Sequence, residues 1–144
     1  MLGLIGTPVE HSLSPAMHNT SFEHLGLDFV YLAYDIADDS QLEAAVAGMR
    51  ALGFVGCNVT MPYKTKVLPY LDELSPAAEA MGAVNTIAFV DGKAIGHNTD
   101  GAGFVEGLRR HGFEPEGKVV TIVGAGGAGS AIFTQLALES VACI

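Results

Sequence analysis

Polar side chains stand where one predicted strand ends and a helix begins, in the segment Asn58-Val59-Thr60-Met61-Pro62-Tyr63-Lys64. Asn58 and Thr60 share one face of the strand because side chains alternate, and Val59 faces the core. Ligand sites in open sheets gather at such strand ends. A lysine ammonium there can protonate a reacting oxygen or place positive charge beside it. Lys64 falls in the first helical turn, where the macrodipole disfavours a cation. A chemical role is one interpretation, and a solvated surface lysine is the other.

Two later segments, Ala83-Val84-Asn85-Thr86 and Gly96-His97-Asn98-Thr99-Asp100-Gly101, also place polar residues at or after the end of an apolar strand. Asp100 is suited to cap a helix that begins at Gly101, since Asp is among the best N-caps. Asn85 is equally suited to satisfy the backbone of a turn. Sequence spacing alone leaves open whether these side chains join Lys64 in a site.

A pair of serines lies in His11-Ser12-Leu13-Ser14-Pro15. In an extended segment alternate side chains point to one side, so the two hydroxyls are placed to hold a carboxylate together. The alternative is that Ser14 caps the helix that Pro15 begins. Both roles are compatible, because the cap does not need Ser12.

The glycine-rich run Gly124 to Gly129 follows the apolar segment Val119 to Val123 and precedes an alanine-rich helix. Glycines allow backbone N–H groups to approach a pyrophosphate, and the helix N-terminus adds a positive dipole end. A plain strand-to-helix turn is the alternative. The residue that would distinguish NADP from NAD lies about 20 residues beyond such a motif, which is past Ile144.

Charge and composition exclude several classes of protein. The chain has 144 residues, is 49% hydrophobic and carries 7 Lys+Arg against 16 Asp+Glu, for a formal net charge of −9. It therefore has ample apolar surface to fold, and without a basic patch we expect no nucleic-acid partner. The N-terminus has no basic region and becomes polar by Glu10, which argues against a signal peptide or a membrane span.

Histidine and cysteine spacing indicates neither a metal site nor a disulfide framework. The five histidines form no HxxxH or HExxH pattern, so we predict no metal site. Cys57 and Cys143 lie far apart and form no CxxC pair. We therefore expect a protein of the reducing cytoplasm.

Apolar runs alternate with segments of helical spacing, which predicts an α/β fold with an open sheet. Asp91-Gly92 predicts a tight hairpin turn. The predicted strands span 2–5, 29–34, 54–59, 84–90, 93–96 and 119–123, the last of them fully buried. The predicted helices span 15–25, 41–52, 63–70, 101–111 and 126–138, with a further short helix that Ser75-Pro76 opens.

The strand-helix units predict a domain boundary between Gly101 and Gly117, because they are numerous before it and few after it. After Val119 the chain offers one strand, one helix and Val141 to Ile144, which has the pattern of a strand that is only beginning. A nucleotide-binding half needs about three strands. We therefore expect the chain to be a truncated form.

Taken together and in this order, these motifs and Gly82-Ala83-Val84-Asn85-Thr86 resemble the shikimate dehydrogenase family, over essentially the whole chain and as its N-terminal half. The resemblance implies that residues 1–100 form a substrate-binding α/β domain with a mixed sheet. Residues 101–116 would connect it to 117–144, the incomplete start of a Rossmann NAD(P)-binding domain.

The resemblance further implies a reversible, NADP-dependent reduction of 3-dehydroshikimate to shikimate by hydride transfer, in chorismate and aromatic amino acid biosynthesis. The truncated form would be inactive alone. Gly129-Ser130-Ala131-Ile132 is similar to the quinate/shikimate branch, so one alternative is a quinate/shikimate dehydrogenase that uses NAD. Because the cofactor domain is expected to be incomplete, a non-catalytic substrate-binding fragment is the other. The implied partner is a small-molecule substrate, and the protein would be a monomer or a homodimer.

Residue roles also follow from the resemblance. Lys64 and Asp100 would be the catalytic pair, and Ser12 and Ser14 would hold the substrate carboxylate. The substrate-binding set would be Ser12, Ser14, Asn58, Thr60, Lys64, Asn85, Thr99 and Asp100. The cofactor-binding set would be Gly124, Ala125, Gly126, Gly127, Ala128 and Gly129.

Overall fold

A computed structural model describes residues 1–124 and 126–144, and Ala125 lies outside the described residues. Six strands form one mixed sheet in the order β2-β1-β3-β5-β6-β4. The strands are β1 (Leu2–Gly6), β2 (Tyr31–Asp35), β3 (Gly56–Val59), β4 (Glu73–Leu74), β5 (Thr86–Val90) and β6 (Lys93–His97). The predicted α/β class is confirmed.

Parallel pairing builds one half of the sheet and antiparallel pairing the other. β1 pairs in parallel with both β2 and β3, so it is the central strand and four of its five residues are buried. β3 and β5 are antiparallel, as are β5 and β6. Asp91 (φ 51°) and Gly92 (φ 77°) make the hairpin turn between β5 and β6, which confirms the turn predicted from this dipeptide.

Helices pack on the sheet through apolar residues at helical spacing. In α2 the buried residues Leu42, Val46 and Met49 lie on one face, as their spacing predicts. The main core continues through Ile5 and Val59. The helices are α1 (Ser14–His24), α2 (Leu42–Ala51), α3 (Tyr63–Lys66), α4 (Pro76–Met81), α5 (Asp100–Arg110) and α6 (Gly127–Leu138).

The close packing of α5 against α6 sets where the glycine-rich loop lies. A side chain at Gly101 would place its Cβ 2.5 Å from the carbonyl oxygen of Ala131, a distance that real Cβ atoms do not tolerate. Glycine at this crossing therefore lets the N-terminal turn of α5 touch the first half of α6. Gly127, at the start of α6, lines one cavity together with Thr60, which directly follows β3.

The predicted buried strand at Val119–Val123 is wrong. Val119 makes only an isolated parallel bridge with Cys143, and the two ends of the segment are exposed, Val119 at 77% and Val123 at 98%. A parallel strand becomes buried only when strands flank it and helices cover both its faces. Residues 117–144 supply one bridging partner and α6, which is too little to cover an apolar segment.

The helices among the described residues are too short to cross a membrane, the longest being the 12-residue α6.

Thiol labelling tests the placement of β3 in the core. Burial raises the pKa of the Cys57 thiol to about 12, and only the thiolate is nucleophilic. Since Cys57 is buried and Cys143 is exposed, a thiol reagent at pH 8 should modify one site rapidly, and Cys57 only on unfolding. Mass spectrometry of the labelled chain checks this.

Cys143→Ser provides the control for that labelling, since it should abolish the fast phase and leave the slow one. Two rapidly modified thiols per native chain would contradict the buried position of β3.

Candidate functional site

An ion pair joins the N-terminal turns of α3 and α5. Lys64 Nζ lies 2.7 Å from Asp100 Oδ2, and the two side chains are 32% and 33% exposed. The backbone carbonyl of Lys64 accepts a hydrogen bond from Val84 N at 2.7 Å, which ties the start of α3 to the loop before β5. The structure thus brings together the two residues that the resemblance implies as a catalytic pair.

The capping role considered for Asp100 is wrong. The helix begins at Asp100 itself, with Thr99 at the N-cap position and no side-chain hydrogen bond there. Both carboxylate oxygens are engaged elsewhere, Oδ2 by Lys64 and Oδ1 by Asn85. The carboxylate therefore faces the site instead of its own helix.

Asn85 is the central amide of the site. Its Nδ2 donates to Asp100 Oδ1 at 2.8 Å and to Thr99 Oγ1 at 3.0 Å. Its Oδ1 accepts from Thr99 N at 3.0 Å and from Thr86 Oγ1 at 3.0 Å. Asn85 is therefore fully occupied in joining β5 to the start of α5, and it is more than a turn residue.

Asn98 is a site residue that the sequence reasoning did not single out. It is the one buried polar residue in the described part of the chain, 6% exposed. Its Nδ2 donates to the carbonyl of Ala83, and its Oδ1 accepts from Asp100 N, both at 3.0 Å. This Asx-type bond to the backbone two residues on is the signal that the motif carried. It fixes the entry into α5 and with it the position of Asp100.

Asn58 forms a second polar cluster with Tyr31 and Thr86, two residues that are absent from the predicted site residues. This cluster lies beside that of the ion pair. Tyr31 donates its hydroxyl to Asn58 Oδ1 at 2.7 Å. Asn58 Nδ2 donates to Thr86 Oγ1 at 3.1 Å. Burial raises the pKa of Tyr31 to about 12, with the nearby Cys57 a smaller cause. Because Tyr31 is apart from every motif in the sequence, spacing gave no sign of it.

One cavity, of about 720 Å³, is lined by residues of the predicted substrate-binding set and by residues of the predicted cofactor-binding set. Thr60, Lys64 and Asp100 line it from the sheet side, and Gly127 and Ala128 line it from the start of α6. A substrate beside the ion pair would therefore lie next to the helix N-terminus that follows the glycine-rich loop.

The two serines differ from their predicted geometry. Leu13 between them is helical (φ −82°, ψ −5°) and Ser14 is already in α1, so the segment is not extended and Ser14 is not an N-cap. Instead, Ser12 Oγ accepts a hydrogen bond from Ser14 N at 3.2 Å. Both serines are half-buried. The helix starts earlier than predicted because Ser12, rather than Ser14, supplies the acceptor for a first-turn N–H group.

The described part of the glycine-rich loop fits a phosphate-bearing cofactor. A Cβ at Gly129 would lie 2.3 Å from the carbonyl oxygen of Gly124, whereas one at Gly126 or Gly127 would meet no described atom within 4 Å beyond its chain neighbours and its own helix. The loop is therefore folded tightly against the helix yet open above the first helical turn, where a pyrophosphate would lie against backbone N–H groups. The predicted contact of Ala125 lies outside the described residues.

A second cavity, of about 510 Å³, is lined by Gly124 and Gly129 of this loop and by apolar residues that include Val120, Phe133 and Ile144. It contains none of the polar residues of the ion-pair cluster. Among residues 1–124 and 126–144, His, Cys, Asp and Glu nowhere gather in a group of three that could hold a metal ion.

Comparison with known proteins connects this geometry to a family. Residues 4–87 match the family model described as the shikimate dehydrogenase substrate binding domain. A shikimate dehydrogenase (NADP(+)) from Alkaliphilus metalliredigens is 52% identical over 139 residues, which are 96% of this chain and 48% of that protein. The chain thus spans about half the length of the curated relatives it matches.

Solved structures show the same likeness. The chain superimposes with a TM-score of 0.93 and 51% identity on a Listeria monocytogenes shikimate 5-dehydrogenase in complex with shikimate and NAD, covering 99% of this chain and 50% of that one. A ligand-free 5-ketofructose reductase from Gluconobacter gives a TM-score of 0.93 and 42% identity over 98% of this chain and 50% of that one. The mixed sheet, the ion pair beside the glycine-rich loop and these matches agree, and the chain belongs to the shikimate dehydrogenase family, whose substrate-binding domain it carries.

Proposed function

We propose that residues 1–100 bind a shikimate-type ring acid and that, joined to a complete cofactor domain, they interconvert 3-dehydroshikimate and shikimate with NADP. The observation that carries this proposal is the shared cavity, where Lys64 and Asp100 face the start of α6. Residues 101–116 would connect this domain to 117–144, the beginning of the cofactor domain.

Reduction of a ring ketone requires a hydride at carbon and a proton at oxygen. NADPH, when bound, supplies the hydride. Lys64 would donate the proton to the carbonyl oxygen or stabilise the negative charge that grows there, and either effect lowers the barrier. Asp100 would hold the ammonium in place and accept a hydrogen bond from a neighbouring ring hydroxyl.

The other predicted residues are assigned to the rest of the substrate. Thr60 lines the cavity beside Lys64 and would contact the ring hydroxyls, with Asn58, Asn85 and Thr99 near them. Ser12 and Ser14 would hold the carboxylate. The cofactor pyrophosphate would lie against the set Gly124, Ala125, Gly126, Gly127, Ala128 and Gly129.

A second candidate is a dehydrogenase for a different polyhydroxy substrate, such as the quinate/shikimate dehydrogenase alternative, with NAD in place of NADP. The likeness to the Gluconobacter 5-ketofructose reductase and the NAD in the Listeria complex favour it. A non-catalytic binding module is the remaining alternative for the 144-residue chain. A cytoplasmic location and a monomeric or homodimeric state stay predictions from the sequence.

The catalytic assignment is tested in a chimera that joins residues 1–144 to the second half of the Listeria relative. Lys64→Ala should lower kcat by about 100-fold or more with little change in KM, because a charge on the developing oxyanion acts chiefly in the transition state. Asp100→Asn should lower kcat less. Steady-state kinetics with 3-dehydroshikimate and NADPH measure both.

Lys66→Ala is the matched control, since Lys66 lies on the same short helix but pairs with Asp39 at the surface. It should leave kcat within about twofold. A Lys64→Ala chimera that kept its kcat and only raised KM would make Lys64 a substrate ligand. A chimera with wild-type residues that reduced 5-ketofructose or quinate-derived ketone better than 3-dehydroshikimate would favour the second candidate.

The serines are tested by separating stability from binding. Ser12→Ala removes the acceptor for Ser14 N and should cost about 1 kcal/mol of stability, whereas Ser14→Ala should cost less. Both should weaken shikimate binding about three- to tenfold if the hydroxyls hold its carboxylate. Thermal unfolding and isothermal titration calorimetry measure the two effects.

Ser21→Ala is the control for the serines. In the unmodified chain, the Ser21 hydroxyl donates to the carbonyl of Met17 on the exposed side of α1. The substitution should not change shikimate affinity. If Ser12→Ala and Ser14→Ala bound shikimate as the wild type does, the two hydroxyls would be purely structural.

A further inference from the structure

Tyr31 lies outside the proposed catalytic pair, yet contacts to its ring and to its backbone hold it in place. It is 1% exposed, and the ring of His18 stacks on it at 4.4 Å. The side chain of Asn19 brackets its backbone, accepting from Tyr31 N at 2.8 Å and donating to its carbonyl at 2.9 Å. The hydroxyl is therefore presented from a rigid support at the β2 edge of the sheet.

From this support a continuous series of hydrogen bonds crosses the sheet to the ion pair. Since the strand order is β2-β1-β3-β5, Tyr31 reaches over β1 to Asn58 on β3. The series, which we call the amide relay, runs from Tyr31 Oη to Asn58, Thr86, Asn85 and Asp100, with donor-to-acceptor distances of 2.7, 3.1, 3.0 and 2.8 Å. Lys64 then closes it on the other carboxylate oxygen.

The groups at the Asp100 end of the relay determine which partner donates and which accepts in each hydrogen bond. Thr99 N can only donate and the Asp100 carboxylate only accepts, so Asn85 must turn its Oδ1 to Thr99 and its Nδ2 to Asp100. Thr86 must then donate its hydroxyl proton to Asn85 and accept from Asn58. Asn58 Oδ1 is left as an acceptor for Tyr31.

Loss of an outer donor weakens the hydrogen bonds further along the relay. Without the Tyr31 hydroxyl, Asn58 has an unmet acceptor at a half-buried position, which favours rotation of its amide. Thr86 then loses one of the two hydrogen bonds that hold its side chain in one rotamer. Its remaining bond to Asn85 Oδ1 is therefore formed in a smaller fraction of the molecules.

We infer that Tyr31 and Thr86 are positioning residues that act through Asn58 and Asn85 to hold the Asn85 amide and the Asp100 carboxylate in one orientation toward the substrate. The inference deepens the proposed function and rests on it for the substrate. In this role Asn58 is also a member of the relay, whether or not it touches the ring.

Tyr31 is chemically suited to the outer end of the relay. Burial keeps its hydroxyl protonated across the physiological range, since its pKa is raised to about 12. It therefore always offers a donor. A serine or threonine at this strand edge is too short to reach over β1, so the phenol length is part of the requirement.

The test uses the isotope-labelled 144-residue chain in four variants: Tyr31→Phe, Thr86→Val, Thr86→Ser and Tyr34→Phe. The side-chain amide signals of Asn58 and Asn85 are recorded by NMR without ligand, shikimate is then titrated, and thermal unfolding is measured. Tyr34→Phe is the matched control, because Tyr34 lies on the same strand but packs against Phe54 outside the relay.

Tyr31→Phe should shift the amide signals of both asparagines and weaken shikimate binding about three- to tenfold. Thr86→Val should do the same at Asn85, while Thr86→Ser, which keeps the hydroxyl, should restore wild-type signals and affinity. Tyr34→Phe should leave the Asn85 signals and the affinity in place. A merely structural Tyr31 would lower the unfolding temperature without moving the Asn85 amide signals.

The inference is overturned if the Asn85 signals in folded Tyr31→Phe match the wild type, or if affinity stays at the wild-type value although the signals move. Equal losses in Thr86→Val and Thr86→Ser overturn it as well, and this pair decides the matter should Tyr31→Phe not fold. Failure of the wild-type chain to bind shikimate would count against the proposed function instead. The ligand-free Asn85 signals would then decide the inference alone.

Discussion

The half-buried ion pair between Lys64 and Asp100 is the interaction on which the rest of the site depends. Two side chains held in one geometry lose rotamer entropy, and an ion pair that is still partly open to solvent contributes little stability. The surrounding contacts therefore have to fix each partner separately. Val84 N holds the backbone of Lys64, and Asn98 and Asn85 hold Asp100. The pair is thus a product of the fold and not a source of its stability.

The mixed sheet supplies these contacts because it reverses direction between β3 and β5. The end of β3 leads into Lys64, whereas the start of β5 carries Asn85 and Thr86, and antiparallel pairing places these two positions side by side. An all-parallel sheet would separate them by the length of a strand. The tight crossing at Gly101 then brings the start of α6 to the same cavity.

Local patterns in the sequence were enough for much of this architecture. Alternation of apolar runs gave the α/β class, Asp91-Gly92 gave the hairpin, and the strand-end motifs gave Lys64, Asn85 and Asp100. The errors have physical causes. Among the described residues, the apolar run at Val119–Val123 has too few neighbours to bury it, and Leu13 adopts a helical conformation that alternation cannot reveal. Tyr31 was not predicted because its hydroxyl contacts Asn58, 27 residues away in the sequence, and no local motif encodes such a contact.

The central claim is that Lys64 and Asp100 act as one preformed unit toward a ring acid. A double-mutant cycle on kcat/KM for 3-dehydroshikimate, measured in the chimera with Lys64→Ala, Asp100→Asn and the double variant, tests it most directly. If the two side chains act as one unit, the double variant loses clearly less transition-state stabilisation than the two single losses added together. Strictly additive losses, or a kcat/KM equal to that of the wild type, would contradict it.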